Sequence, residues 1–348
     1  MFNLTKEKMF FAEHLSLMMK GGMPLTEALD ILKKEAKSKA FKKALDDVLK
    51  RVLGGESLTQ SLSYHPKIFN RFFRNVIKIG EKSGTLEKNL KYLSLQLNQE
   101  FEMKKKIIGA LIYPGLVMTM AVAVSFFVSF FILPKMLEVF RSLEIELPLA
   151  TRILITSVSF FQNYWFLIIA GVTLIILLLR IFLTLKFVRF YFDKTLLSFP
   201  FLARILQNLN LARFARTLHT LLKSGLPVVE ALEVCVNTLP NEVYKKSLIS
   251  VGLRVEGGEK ISDGLKDFPK IFPSVFFQMV VVGERTGSLE ESLLYLAEFH
   301  EKEVDSILKN LSGILEPILL ILVGVFVAFV AIAIITPIYQ FTGQLRFR

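Results

Sequence analysis

The sequence predicts an all-α membrane protein, with two duplicated cytoplasmic helical bundles of about six helices each and three transmembrane helices. Three observations carry this reading. Hydrophobic residues make up 52% of the 348 and charged residues 21%, with a mean hydropathy of +0.48. Such a chain needs apolar solvent for part of its surface. Three long stretches carry no charge. The third observation is a shift of 203 positions that lays the chain on itself. No window shows sustained alternation of apolar and polar residues, so no sheet is expected.

The elements follow in order. Residues 1–106 read as the first bundle. Met1 to Lys20 holds Lys6, Glu7, Lys8 and Glu13, so no continuous apolar signal segment opens the chain. Leu86, Leu90, Leu93, Leu97 and Phe101 recur at spacings of three and four, the seam of an antiparallel bundle. Gly21-Gly22 before Met23-Pro24 ends one helix and opens the next, with proline in the first turn. Residues 107–133 form the first span, 134–159 an extracytoplasmic loop and 160–185 the second span. Residues 186–312 form the second bundle, 313–338 the third span and 339–348 an extracytoplasmic tail.

Basic flanks orient the spans. Five basic residues lie in the twenty before the first span and three in the twenty after it. For the second span the balance is two before and four after. This sends the first span outward and the second inward, with a cytoplasmic N-terminus. The third has two basic residues on each side, and charge alone does not orient it.

The duplication supplies the missing direction. Gly22, Pro24, Gly80 and Gly84 fall on Gly225, Pro227, Gly283 and Gly287. Of twelve prolines, eight form four pairs at this one offset, including Pro114 with Pro317 and Pro134 with Pro337. Proline and glycine mark special backbone positions, so both copies share a backbone path. If both bundles face the cytoplasm, the first and third spans run parallel, and the second span returns the chain between them.

Little chemistry is on offer. One cysteine, Cys235, excludes a disulfide scaffold, and it falls on an apolar helix face as a small core residue. The four histidines, at 14, 65, 219 and 300, are unpaired at ligand spacing and read as surface or turn residues. Glu290-Glu291 and Asp46-Asp47 lie in polar helical segments and read as solvated. Gly80 to Thr85 has the wrong glycine spacing for a phosphate loop, and the second copy lacks its lysine. No catalytic, cofactor-binding or metal-binding residue is expected. The net charge of +12 fits anionic lipid, an acidic partner or nucleic acid alike. No reading motif for nucleic acid accompanies it.

Two sets of positions remain as candidates. Gly22, Pro24, Gly80, Gly84, Gly225, Pro227, Gly283 and Gly287 are candidate coupling or turn positions. Pro114, Pro134, Arg180, Glu316, Pro317 and Pro337 are candidate hinge or contact positions in the membrane. For each glycine, simple turn geometry competes with a coupling role. For the prolines, tolerance near helix ends competes with a hinge. Glu316 precedes Pro317 at the entry of the third span, where an acid is costly unless solvated or paired. Interfacial solvation competes there with a helix or subunit contact, with Arg180 as one partner.

"LARFARTLHTLLKSGLPVVEALEV" at 211–234, "VGERTGSLEESL" at 282–293, and "ELPLATRIL" followed by "FFQNYWFLI" carry a resemblance. The chain resembles the inner-membrane platform family of type II secretion systems and type IV pili, the F protein or PilC-type protein, over about residues 9 to 341. The resemblance implies a non-enzymatic protein without cofactors in the bacterial inner membrane. Its expected partners are a hexameric assembly ATPase, (pseudo)pilins, other inner-membrane assembly-platform proteins, the lipid bilayer and further copies of itself. Direct nucleic-acid binding is not expected. Many members carry a polar segment ahead of the first repeat, whereas here the repeat begins around Phe10, so contacts made by that segment are not carried over.

The expected role is mechanical: the bundles receive ATP-driven motion, and the spans pass it to pilins for fibre growth and protein secretion. A competence pseudopilus platform for DNA uptake is the alternative within this class. A small membrane transporter is the alternative outside it, although the first and third spans offer only Ser, Thr and Gly at mid-membrane. Residues 1–106 carry 21 basic and 12 acidic side chains, and residues 185–312 carry 16 and 15. Copies that share a fold but differ in charge are expected to meet different partners.

Overall fold

The computed structural model describes residues 2–132, 134, 149–182 and 185–345. Among these residues every regular element is helical. In chain order they are α1 (Phe2–Lys20), α2 (Leu25–Glu35), α3 (Lys39–Leu53), α4 (Leu58–Ser63), α5 (Arg71–Ser83) and α6 (Leu86–Phe127), then a π turn at Val128–Ile132. α7 (Leu149–Phe182), α8 (Lys186–Leu196), α9 (Pro200–Lys223), α10 (Val228–Thr238) and α11 (Glu242–Glu256) follow. α12 (Ile261–Lys266), α13 (Ser274–Thr286) and α14 (Leu289–Leu345) complete the chain.

Two compact units result. The first holds Met1–Lys106 and Lys186–Ser306, and the second Ile107–Leu185 and Ile307–Arg348. In the first unit both copies contribute to one apolar core. Its largest members obey the repeat. Phe11, Phe41, Phe69 and Phe73 pack ring to ring at centroid distances of 5.1–6.2 Å. Phe214, Tyr244, Phe272 and Phe276 stand at the same positions plus 203, at 5.7–6.1 Å. Tilted and edge-on rings suit the aromatic quadrupole and add to the area they bury. Tyr244 alone brings a hydroxyl, which donates to the Ile271 carbonyl at 3.1 Å. Burial pushes that phenol well above its ordinary pKa.

Caps decide where the bundle helices begin. The Ser38 hydroxyl accepts from Phe41 N–H, Asn70 from Phe73 N–H, and Asn241 from Val243 and Tyr244 N–H. Glu7 reaches back from α1 to accept the Ser38 N–H at 2.6 Å and its hydroxyl at 2.7 Å, tying α1 to the start of α3.

The second unit is apolar and mostly bare of protein cover. Three helical stretches are long and apolar enough to cross a membrane: Leu86–Ile132, Asn163–Phe182 and Leu289–Ala333. Val158 and Ala333 bury each other, and the Thr151 hydroxyl donates to the Ala333 carbonyl at 2.6 Å. A satisfied hydroxyl is the form in which a polar side chain survives in such a setting.

Several expectations change. Residues 149–159 are helical and continuous with the second span rather than loop; no glycine or proline lies between Leu149 and Ala170 to stop the helix. The rest of the expected loop lies outside the described residues except Pro134. The second bundle has one helix more than about six, because α8 stands ahead of its repeat. Pro24 and Pro227 sit at the position before α2 and α10, not inside the first turn. Pro114 and Pro317 lie well inside α6 and α14 rather than near helix ends. In an apolar phase neighbouring groups and small local adjustments re-satisfy the backbone that a proline frees, so a spanning helix tolerates it.

Candidate coupling corners in the helical bundles

The corner between α5 and α6 is built from three residues. Gly80 is a helical residue with no room for a side chain, since a Cβ there would stand 2.8 Å from the Leu86 Cα. Gly84 ends α5 in the left-handed region at φ 68°, which only glycine enters without strain. Thr85 N–H returns to the Gly80 carbonyl at 2.9 Å and closes the turn. The chain then reverses so tightly that α5 and α6 touch through backbone.

Glu81 uses this corner to reach a third helix. Its carboxylate accepts Leu58 N–H at 2.6 Å and Thr59 N–H at 2.9 Å, and it also takes the Thr59 hydroxyl. These amides open α4, which is only six residues long. A negative charge at a helix start meets unsatisfied donors and the positive end of the dipole. The second copy repeats the arrangement: Glu284 accepts Ile261 N–H at 2.6 Å and Ser262 N–H at 3.3 Å. Gly283 is closed off by the Leu289 Cα at 2.9 Å, and Gly287 has φ 72°. A carboxylate inside the Gly80–Thr85 segment also opposes any phosphate there.

A second cluster has no equivalent in the first copy. Glu301 on α14 grips Arg216 on α9 twice, at 2.9 Å to Nε and 2.6 Å to Nη2. The positions of this pair in the first copy are Glu13 and Asn98. His219 Nδ1 meets the Glu290 carbonyl at 2.8 Å, and His300 Nδ1 meets Asn208 Oδ1 at 2.6 Å. Both imidazoles are buried, against the surface or turn placement expected for them. Burial lowers both pKa values, that of His300 to about 4. Their polar partners lie on other helices, which a single-helix reading cannot see. His65 does lie in a turn, bonded to Asp47 at 2.8 Å, and His14 stacks on Phe10 at 3.6 Å.

The copies meet in this unit. Thr220 donates to Gln96 at 3.2 Å, Arg71 to Glu233 at 2.8 Å, and Lys106 pairs with Asp305 at 3.0 Å. A cavity of about 230 Å³ opens beside the first contact, lined by Tyr92, Gln96, Arg216, His219 and Lys223 among others. Its basic groups are engaged: Arg216 by Glu301, and Lys223 over the Tyr92 ring at 5.4 Å.

Cys235 is fully buried, as expected, and burial raises its thiol pKa far above the reactive range. Asp46 and Asp47 are not simply solvated. Asp46 pairs with Lys50 and Lys33, Asp47 with Arg51 and His65. Among the described residues no three His, Cys, Asp or Glu side chains gather to hold a metal ion.

Of the sequence candidates, the structure brings together Gly80 with Gly84 and Gly283 with Gly287. Gly22 and Gly225 take positive φ of 83° and 91° ahead of Pro24 and Pro227 and serve the turn before α2 and α10. Pro134 follows the π turn Val128–Ile132, and α14 runs through position 337. Arg180 and Glu316 are both exposed, and among the described residues no ion pair joins them. The Glu81 and Glu284 caps, the aromatic quartets and the Arg216–Glu301 pair were missed by sequence reasoning. The 203 offset marks the first two. The third shows only as a paired departure between copies.

The profile of type II secretion system protein F matches residues 11–134 and again 214–337, two windows separated by the same 203 positions. The chain is 32% identical to a type IV pilus assembly protein PilC of Thermus thermophilus, over 98% of this chain and 84% of the other. It is 30% identical to the PilC of Pseudomonas aeruginosa, over 95% and 88%. It is also 29% identical to the type II secretion system protein F of Vibrio cholerae, over 97% and 82%.

Proposed function

Because this chain belongs to the type II secretion system protein F family, we propose that it is the non-enzymatic inner-membrane platform of a pilus-assembly or secretion machine. The single observation that carries this is the double family match, each half of which takes in most of one bundle and the whole of the apolar stretch that follows it. In this reading both bundles face the cytoplasm, with the N-terminus on the same side, and α7 returns the chain between two parallel spans. A hexameric assembly ATPase drives the bundles. The spans pass the motion to pilin-like subunits in the bilayer. The corners at Gly80–Gly84 and Gly283–Gly287 are the coupling elements, because each fixes three helices to one another through backbone and one carboxylate. Pro114, Pro317 and Pro337 permit bending of the helices that carry them, and Pro134 is a hinge position beyond the π turn. Arg180 and Glu316 contact neighbouring subunits.

The test is affinity capture of the tagged chain from detergent-solubilised membranes, with mass spectrometry of what accompanies it. Recovery of an assembly ATPase and pilin-like proteins is expected. Recovery of the chain alone, together with solute flux through vesicles containing it, would sink the platform reading in favour of a transporter.

A further inference from the structure

Helix α8 starts four positions after the second apolar helix ends, since α7 closes at Phe182 and α8 opens at Lys186. An extended chain covers at most ~3.6 Å per residue, so α8 begins within roughly 15 Å of the end of the span, however the bundle is turned.

The two faces of α8 differ. One docks on α11. Arg189 donates to the Pro240 carbonyl at 2.8 Å, Asp193 accepts Glu242 N–H at 2.8 Å, and the Lys246 ammonium lies 3.9 Å from the Phe190 ring centre. Leu197 continues this face into the core. The other face is turned out, with Tyr191 and Phe192 52% and 43% exposed and Lys194, also exposed, one turn on from Tyr191. Phe199 and Leu202, 57% and 43% exposed, extend the apolar surface into the start of α9. Four basic residues lie within twenty residues of the span; Arg189 is held by Pro240 and Arg204 pairs with Glu303 at 3.4 Å, which leaves Lys186 and Lys194 as the lysines of α8 for the membrane surface.

Exposed aromatic rings beside lysines, tethered at a membrane surface, match the headgroup layer. Rings settle at that depth, and basic residues are attracted to anionic lipid. Water offers the same rings nothing. We propose that α8 is an interfacial helix. Its outer aromatic face lies in the bilayer headgroup layer, and Lys186 and Lys194 bind anionic phospholipid headgroups, holding the second bundle at a fixed depth. The inference rests on the second apolar helix crossing the membrane, not on the identity of the machine.

The test places a nitroxide on the full chain in nanodiscs. Phe192→Cys and Phe199→Cys are compared with Leu253→Cys, an exposed position on α11. Cys235 is fully buried, and the unsubstituted chain treated with the same reagent sets the background. Collision with oxygen reports lipid, and collision with a nickel chelate reports water. At 192 and 199 the ratio of oxygen to nickel access is expected to exceed that at 253 severalfold, and to rise when phosphatidylglycerol joins phosphatidylcholine. Lys186→Gln with Lys194→Gln should abolish the rise. Equal nickel access at all three sites would place the face in water and overturn the proposal. Low access to both probes at 192 and 199 would mean protein cover, a second copy or another subunit, and would overturn it too. Depth independent of phosphatidylglycerol, or of the lysines, would overturn its anionic-lipid half. A thermal unfolding midpoint unchanged from the parent shows that each variant is folded.

Discussion

Arg216 and Glu301 are joined by two hydrogen bonds, at 2.9 and 2.6 Å, between side chains that are only 12% and 19% exposed. The pair fixes α9 to α14 in the second bundle. A fork of this kind is worth more than a surface ion pair because little water competes for it. Arg216→Ala is expected to cost about 2 kcal/mol. That is several degrees in the unfolding midpoint, read by circular dichroism in detergent. The double variant with Glu301→Gln should cost less than the sum of the two single variants. Additive losses would show that the pair is not coupled.

Removing a carboxylate cap should weaken both bundles alike. Glu81→Ala leaves the Leu58 and Thr59 amides without their acceptor and is expected to cost ~1–2 kcal/mol. Glu284→Ala should cost a similar amount. Each glutamine variant keeps an acceptor and should lose less. Amide hydrogen exchange at α4 and α12 locates the effect, and protection unchanged there would refute it.

The corner glycines separate packing from coupling. Gly80→Ala drives a Cβ to 2.8 Å from the Leu86 Cα, and overpacking of this kind costs ~1–3 kcal/mol. Gly84→Ala meets open space but keeps φ 68°, a backbone cost of ~1–2 kcal/mol. If the corners transmit motion, Gly84→Ala lowers fibre assembly more than its loss of stability explains. Assembly that simply tracks the unfolding midpoint in both variants would reduce these glycines to turn geometry.

Acid should loosen the second bundle through His300. Burial holds its folded pKa at about 4, below an unfolded value near 6.5. Below that upper value the unfolded chain binds a proton that the folded chain refuses. Stability is therefore lost as pH falls from about 6.5 towards 4, by ~3 kcal/mol in full, and this group contributes no slope above pH 7. His219, also lowered by burial, pulls in the same direction. His300→Leu places the residue found at position 97 of the first copy. It should lower stability at pH 7.5, because Asn208 loses its donor, yet flatten the decline between pH 7.5 and 5. A parallel decline in parent and variant would count against this assignment.

Helical class, duplication and three apolar spans were legible because period and punctuation are local signals. The leucine seam at 86, 90, 93 and 97 is buried, and the glycines at 84 and 287 cap helices. His219 and His300 were not legible, because their partners lie 71 and 92 positions away in sequence. Nor could spacing reveal that Glu81 serves a helix 23 positions earlier. The start of α7 was misplaced for a different reason. A polar entry at Gln162 and Asn163 reads as the edge of a span, yet nothing there breaks a helix.

The carboxylate caps also set an order in time. α4 is six residues long and cannot hold by itself. Its fastening lies downstream, so a nascent chain that has emerged only as far as Asn70 still has α4 unlatched. The first bundle can close only when translation has passed Glu81 and the turn behind it, and the second waits in the same way for Glu284. In each copy the carboxylate that fastens the short helix is thus made after the helix it holds. The apolar segment that follows each corner leaves the ribosome after its own bundle is ready to shut.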